Sequence, residues 1–207
     1  MIQATQIETS GWKAALRGMR NPMNSWDKAD SIIDTSHLII GENDLKLMKT
    51  LGRQSDDHAK FLRMINVTMD ILAPLYWWKE FDTYKIGTVA DSCSTMHKIQ
   101  AKEFDMGDFS TEHLDESSKI FMTTLISTLN YNRKLYNATN DKHYWWQMIQ
   151  LLPTSFNQLR TVQMNYQVAL RMIRARKIHK LDEWRDFCKT LIDLPYIKLF
   201  LSTEVEE

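Results

Sequence analysis

Between Leu62 and Leu72 the side chains alternate in chemistry: Ile65, Val67, Met69 and Ile71 fall on one face, Asn66, Thr68 and Asp70 on the other. A period of two marks a strand with one buried face, because successive Cβ atoms point to opposite sides of the pleat. Pro74 follows, and proline suits the first helical position, where its missing N–H is not needed. The spacing therefore predicts a strand that feeds a helix over Pro74 to about Phe81, rich in aromatics at Tyr76, Trp77, Trp78 and Phe81.

The remaining segments are consistent with an α+β chain. The first ten residues are merely β-permissive. Gly11 to Arg20 reads as a short helix stopped by Asn21-Pro22, and Asn43 to Leu51 as a helix between Gly41 and Gly52, with Leu45, Met48 and Leu51 on one face. Thr83 to Ser94, interrupted by Gly87, reads as a loop entering a helix near Ser94, and Asp105 to Thr111 as a connection. Glu112 to Tyr136 is expected to be a long helix with Phe121, Leu125 and Leu129 at i, i+4 and i+8. His143 to Leu152 is another, closed by Pro153. A short strand over Arg160 to Met164 leads into a helix over Asn165 to Lys177, with Tyr166, Ala169, Leu170 and Ile173 on its buried stripe. The last helix starts near Asp182 and buries Trp184, Phe187, Cys188 and Leu191; Glu204, Glu206 and Glu207 are expected to fray. The expected fold is α+β, a small, mainly antiparallel sheet packed against long helices.

No repeat, low-complexity tract or Pro/Ser linker divides the 207 residues, so a single domain over 1–207 is expected. Lys and Arg (26) balance Asp and Glu (26), and zero net charge disfavours a nucleic-acid partner. No apolar stretch approaches the roughly 20 residues that span a bilayer, so no membrane partner is expected. Met1-Ile2-Gln3-Ala4 does not open a signal peptide. Cys93 and Cys188 form no CxxC pair; a bridge between them is left open, although two thiols fit a reducing compartment, and a cytoplasmic location is expected. The six histidines show no metal-ligand spacing, so no metal is expected.

The order of strand, aromatic helix, Ser-rich segment, long helices, Leu152-Pro153, strand and Asn165-led helix resembles the flavin-dependent thymidylate synthases, the thymidylate synthase complementing protein family. The comparable blocks are 74–97 and 152–184, within a family-like region of about 37–190. The block WWKEFDTYKIGTVADSCSTMH is also similar to a group of phage and prophage proteins with a degenerate signature motif. The resemblance implies an FAD cofactor, a nucleotide ligand and a homo-oligomer, a tetramer with active sites between subunits. By the same resemblance Ser94 takes the place of the signature serine near the uracil. Tyr84, Lys85 and Ile86 stand where the family has Arg-His-Arg, Asp91 where it has Asn, and Ser92 where it has Glu. Met96 and Ile149 stand for two nucleotide-contacting arginines. Asn165 matches a flavin-contacting Asn, Gln167 replaces the neighbouring Arg, and Arg176 matches a nucleotide-contacting Arg.

Phosphates and pyrophosphates are best held by bidentate guanidinium groups. The absence of one such charge-assisted bond costs about 1.5–3 kcal/mol of binding. Ile86, Met96 and Ile149 can make none, so the ancestral chemistry is expected to be lost unless other cations substitute. The ligand-binding candidates are Lys85, Ser94, Asn165, Arg171 and Arg176. Asn165 and Arg176 sit about three turns, roughly 16 Å, apart along one helix, which suits an extended ligand. The alternative is that Asn165 caps the helix and Arg176 pairs with a surface carboxylate. The run Arg171, Arg174, Arg176, Lys177, His179 and Lys180 is either an anion site or a helix C-terminus complemented by cations. Trp77, Trp78, Trp145 and Trp146 are either core and interface or stacking platforms. Three functions follow: a diverged thymidylate-synthase-like binder of a nucleotide or anion, a non-enzymatic phage-type scaffold, and a nucleic-acid-binding module.

Overall fold

The computed structural model describes residues 1–34 and 36–201, so Glu204, Glu206 and Glu207 lie outside the described residues. In chain order the elements are β1 (Gln3–Ser10), α1 (Trp12–Arg20), β2 (Ile32–Ile33), β3 (Leu38–Ile39), α2 (Glu42–Gly52), β4 (Asn66–Pro74), α3 (Leu75–Phe81), β5 (Thr88–Ser92), α4 (Thr95–Lys98), α5 (Glu116–Thr139), α6 (Lys142–Leu151), β6 (Asn157–Asn165), α7 (Tyr166–Arg176) and α8 (Asp182–Ile192). Four strands form a small antiparallel sheet in the order β1-β4-β6-β5, and β2 pairs with β3 by themselves. The class is α+β, as the periodicities require.

The chain packs as two compact units. The first comprises Met1–Gln3, Ile71–Thr83 and Asp91–Thr161; the second comprises Ala4–Asp70, Tyr84–Ala90 and the chain from Val162 onward.

β4 carries the predicted alternation: Val67, Met69, Ile71 and Ala73 are fully buried, and Asn66, Thr68, Asp70 and Leu72 are half-buried. It starts at Asn66 rather than Leu62, because Leu62 lies in a 3₁₀ turn, Ala59–Arg63, where its apolar side chain is also buried. Pro74 keeps extended dihedrals (φ −69°, ψ 152°) and caps α3 instead of starting it.

In the second unit the helical stripes hold. Tyr166, Ala169, Leu170 and Ile173 of α7 and Trp184, Phe187, Cys188 and Leu191 of α8 are buried, and the two helices pack together. Gly11 enters α1 at φ +84°, and a Cβ there would lie 2.0 Å from the Met64 carbonyl oxygen. The position admits no side chain.

In the first unit α5 packs against α6 over a core of Ile99, Phe104, Phe109, Met122, Leu129 and Met148. α5 begins after Asp115, whose carboxylate accepts the Ser118 N–H at 2.8 Å, so the helix starts four residues later than its apolar pattern indicated. Phe121 is 67% exposed, and the buried row runs through Met122 and Leu129 instead. Residues 83–94 are not all loop: β5 forms within them. Thr88 is half-buried and the rest of β5 is exposed, so this edge strand carries no alternation from which it could be read. β6 is longer than its predicted core, and the merely permissive N-terminus forms β1.

Candidate functional site

In the first unit the chain leaves β5 through Cys93 and Ser94 into α4. The Cys93 N–H donates to the Leu159 carbonyl at 3.0 Å, and the Gln158 side-chain amide donates to the Cys93 carbonyl at 2.8 Å. Ser94 Oγ accepts the His97 N–H at 3.1 Å and caps the helix. These bonds place Cys93, Ser94 and Lys98 on the wall of a cavity of about 350 Å³, closed on its apolar side by Phe104 and Phe156.

Gln158 is held from behind. Trp78 Nε1 donates to its carbonyl at 2.9 Å, and Arg160 Nε donates to its side-chain oxygen at 3.0 Å. The Arg160 guanidinium lies 4.3 Å over the Trp78 ring and reaches Asp82 at 2.9 Å. Fully buried Trp77 and Trp78 are therefore core, whereas Trp146 is 49% exposed, and Trp145 is half-buried and donates to the Met96 carbonyl at 3.2 Å.

The charges of this cavity are unequal in availability. Lys102 Nζ sits 2.7 Å from Asp108 and 3.4 Å from Asp105. Its hydrogen bond to Asp108 holds the ammonium above the usual lysine range. Asp105 is held below the usual carboxylate range, first by the Gly107 N–H and then by Lys102. Glu103 is turned toward Arg133 at 3.5 Å. Lys98 has no carboxylate partner among the described residues, and it is the charge that can meet a ligand. It lies one turn beyond Ser94, a spacing that could have identified it; Phe104 and Phe156 carried no such signal.

The other candidates belong to the second unit. The Asn165 carboxamide oxygen accepts the Val168 N–H at 3.1 Å, the helix-cap alternative, while its Nδ2 faces Gly87, 2.9 Å from where a Cβ would stand. Arg176 Nε donates to the Tyr84 hydroxyl at 3.1 Å, and its guanidinium lies 5.0 Å from the Trp184 ring centre and 5.7 Å from that of Tyr84. Arg176 thus holds Tyr84, and Asn165 lies beside Gly87, with Lys85 and Ile86 exposed between them. Arg171 is exposed on α7, and Arg174 donates to the Phe200 carbonyl at 3.2 Å. In the first unit, Met96 is exposed and Ile149 packs against the apolar core. Both cysteines are free thiols: Cys93 is exposed, and burial pushes the Cys188 thiol up to about 12 despite the opposing charge of Arg176.

No protein-family profile matches the sequence, and no curated protein matches it. Solved structures do match. Thymidylate synthase X (ThyX) from Helicobacter pylori, crystallised with FAD and dUMP, superposes with a TM-score of 0.71 at 17% identity, covering 99% of each chain. A second Helicobacter pylori ThyX structure, complexed with FAD and dUMP, gives 0.68 at 17% identity, covering 97% of this chain and 99% of that one. The UMP/dUMP methylase PolB from Streptomyces cacaoi, bound with 5-Br dUMP, gives 0.60 at 11% identity over 92% and 88%. The chain shares the flavin-dependent thymidylate synthase fold, and at these identities it is the fold that is shared.

Neither Asn165, which the resemblance assigns to a flavin, nor its neighbour Gln167, nor the residues in the signature positions fit one. The Asn165 oxygen is engaged by Val168, and Gln167 accepts from Arg63. Tyr84 is bonded to Arg176, and exposed Ile86 has no polar atom. Lys85 is a point charge, and none of these side chains offers a pyrophosphate the fork of a guanidinium.

Proposed function

We propose that the chain is a diverged thymidylate-synthase-like protein that binds a nucleotide or a related anion in the cavity beside Ser94, without the flavin chemistry associated with its fold. The supporting observation is that Ser94, singled out from the sequence, lines a cavity of about 350 Å³ together with Lys98 and two phenylalanines. Ser94 Oγ accepts from the His97 N–H, so its own proton remains to donate to a ligand oxygen. Lys98 supplies the positive charge for an anion, and Phe104 and Phe156 supply the apolar wall for a planar base. These residues bind and orient; no redox step is assigned to them.

Calorimetric titration with dUMP and FAD, with an absorbance spectrum of the purified protein, tests this. The expected result is a colourless protein that ignores FAD and binds dUMP. Lys98→Ala should weaken dUMP about 10- to 150-fold, the equivalent of a charge-assisted hydrogen bond of about 1.5–3 kcal/mol. A bound flavin would restore the inherited chemistry, and silence toward dUMP at millimolar concentration would remove the nucleotide reading.

A second feature bears on partners. α5 exposes Ile120, Phe121 and Tyr131 (69%, 67% and 63%). On the same side Thr124 and Thr128 donate their hydroxyls to carbonyls one turn back, at 3.2 and 3.0 Å. With those hydroxyl donors engaged, the stripe is effectively apolar, and such stripes mark association surfaces. The proposal extends to a homo-oligomer in which this stripe meets a second copy. Light scattering should then give Phe121→Glu a smaller mass than wild type; an unchanged oligomer would move the interface elsewhere. The same stripe supports the alternative reading, a non-enzymatic scaffold of phage type, should no nucleotide bind. No described helix is long and apolar enough to cross a membrane. A cytoplasmic location remains part of the proposal, as does a minor place for nucleic acid given the zero net charge.

A further inference from the structure

α1 places Lys13, Leu16, Arg17 and Arg20 on one face, at i, i+3, i+4 and i+7. Within the second unit all four line a cavity of about 330 Å³ that also contains Trp26 and Ile33, and that shares no residue with the Ser94 cavity. Arg20 is fully engaged at its base. Nε meets Asp44 Oδ1 at 2.7 Å, and the two Nη atoms donate to the carbonyls of Ser25 at 3.1 Å and Lys28 at 2.9 Å. Asp44, the carboxylate of this cavity, has its other oxygen occupied by the Ser31 hydroxyl at 2.6 Å and by the N–H groups of Ser31 and Asp30. This pair cancels its own charge.

Lys13 and Arg17 have no acidic or hydrogen-bonding partner among the described residues, so the cavity wall holds an excess of two positive charges. Beside them the Trp26 indole is 51% exposed. It is oriented rather than loose, because Nε1 donates to the Asn21 side-chain oxygen at 2.9 Å. An indole fixed by its edge can offer a ring face for stacking, and two unpaired cations nearby offer an anion charge-assisted bonds. Leu16 and Ile33 supply the apolar floor. The volume is at the small end of the range for ligand pockets, roughly 300–1,000 Å³, which limits the occupant to one ring system and its anionic group.

We infer that the α1 cavity is a second binding site, for a small ligand that joins a planar aromatic ring to a phosphate or carboxylate. Trp26 takes the ring, and Lys13 and Arg17 take the anion. The shared chemistry admits two sources, a mononucleotide or an aromatic acid.

The full chain labelled with 6-fluorotryptophan tests this by ¹⁹F NMR. It has seven tryptophans, and Trp26→Phe assigns the reporter. 5′-AMP and 4-hydroxybenzoate are titrated separately, with inorganic phosphate and adenosine as half-ligands. The expected result is a saturable shift of the Trp26 resonance with at least one of the two complete probes. Each half-ligand should bind at least about tenfold more weakly, and Lys13→Gln with Arg17→Gln should weaken the complete probe by a similar factor. The responding probe identifies the source. The inference falls if Trp26 ignores both probes at millimolar concentration, if phosphate alone does as well, or if the double variant binds undiminished. Both substitutions are at exposed positions, so the fold is expected to survive them. Trp145, bonded to Met96 beside Ser94, reports the other cavity in the same spectrum, so the two sites succeed or fail separately.

Discussion

Asp44→Asn is expected to lower the unfolding free energy by about 3–5 kcal/mol, the cost of leaving a buried charge without its partner. Asp44 is 1% exposed and Arg20 3%. The amide would still fill the space and its oxygen could accept from Arg20, but no carboxylate would oppose the buried guanidinium, and the amide nitrogen could not accept from Ser31 and Asp30 as the second carboxylate oxygen does. Replacing both, as Arg20→Met with Asp44→Leu, should recover most of the loss, because no unpaired charge then remains. The pH dependence follows from the carboxyl. Burial alone would raise it, but the hydrogen bonds from Ser31 and Arg20 outweigh burial and hold it below the ordinary value of 3.8. A group depressed on folding contributes stability that is complete above its unfolded pKa and is lost as pH falls through the folded one. Urea unfolding at neutral pH should show the full gap between wild type and variant, and the gap should close at pH values below about 3.8. A loss under about 1 kcal/mol at pH 7 would show that Arg20 finds another partner.

Trp78→Ala should cost about 3–5 kcal/mol by the same measurement, the range for truncating a fully buried aromatic. Its ring is 4.9 Å from Trp77 and 5.3 Å from Phe81, edge-on to both. Removal also leaves the Gln158 carbonyl without its indole donor and the Arg160 guanidinium without its ring. Because Gln158 holds the Cys93 carbonyl, the wall of the Ser94 cavity should loosen, and dUMP affinity should fall together with stability. Trp78→Phe separates the two effects. It keeps a ring under Arg160 but removes the indole N–H that donates to the Gln158 carbonyl, a cost of about 0.5–1.5 kcal/mol. If Trp78→Ala unfolds the first unit outright, Trp78→Phe still reports whether the Gln158 anchor matters to binding.

Much of the fold was legible because periodicity reports local backbone geometry directly. The alternation through Ile65, Val67, Met69 and Ile71 required a strand with one dry face. The stripe of Tyr166, Ala169, Leu170 and Ile173 required a helix, and Asn165 and Ser94 stand where helix caps are favoured. Other features had no local signal. β5 is exposed along nearly its whole length and exists because its backbone pairs with β6, a condition set by residues far along the chain. On α5 two apolar rows compete, one through Phe121 and one through Met122. Packing against α6 buried the second and left the first exposed.

The sites divide in the same way. The sequence by itself placed Ser94 where a loop enters a helix, left Asn165 between a helix cap and a ligand contact, and showed that guanidinium groups are missing from positions where the resembled family has them. Which cations remain free for a ligand was decided by the tertiary structure alone. Lys102 is taken by Asp108, and Arg20 by Asp44 from 24 residues away, while Lys98, Lys13 and Arg17 are left facing cavities. The availability of a charge depends on which opposite charge reaches it in space, and the spacing of residues along the chain does not encode that distance.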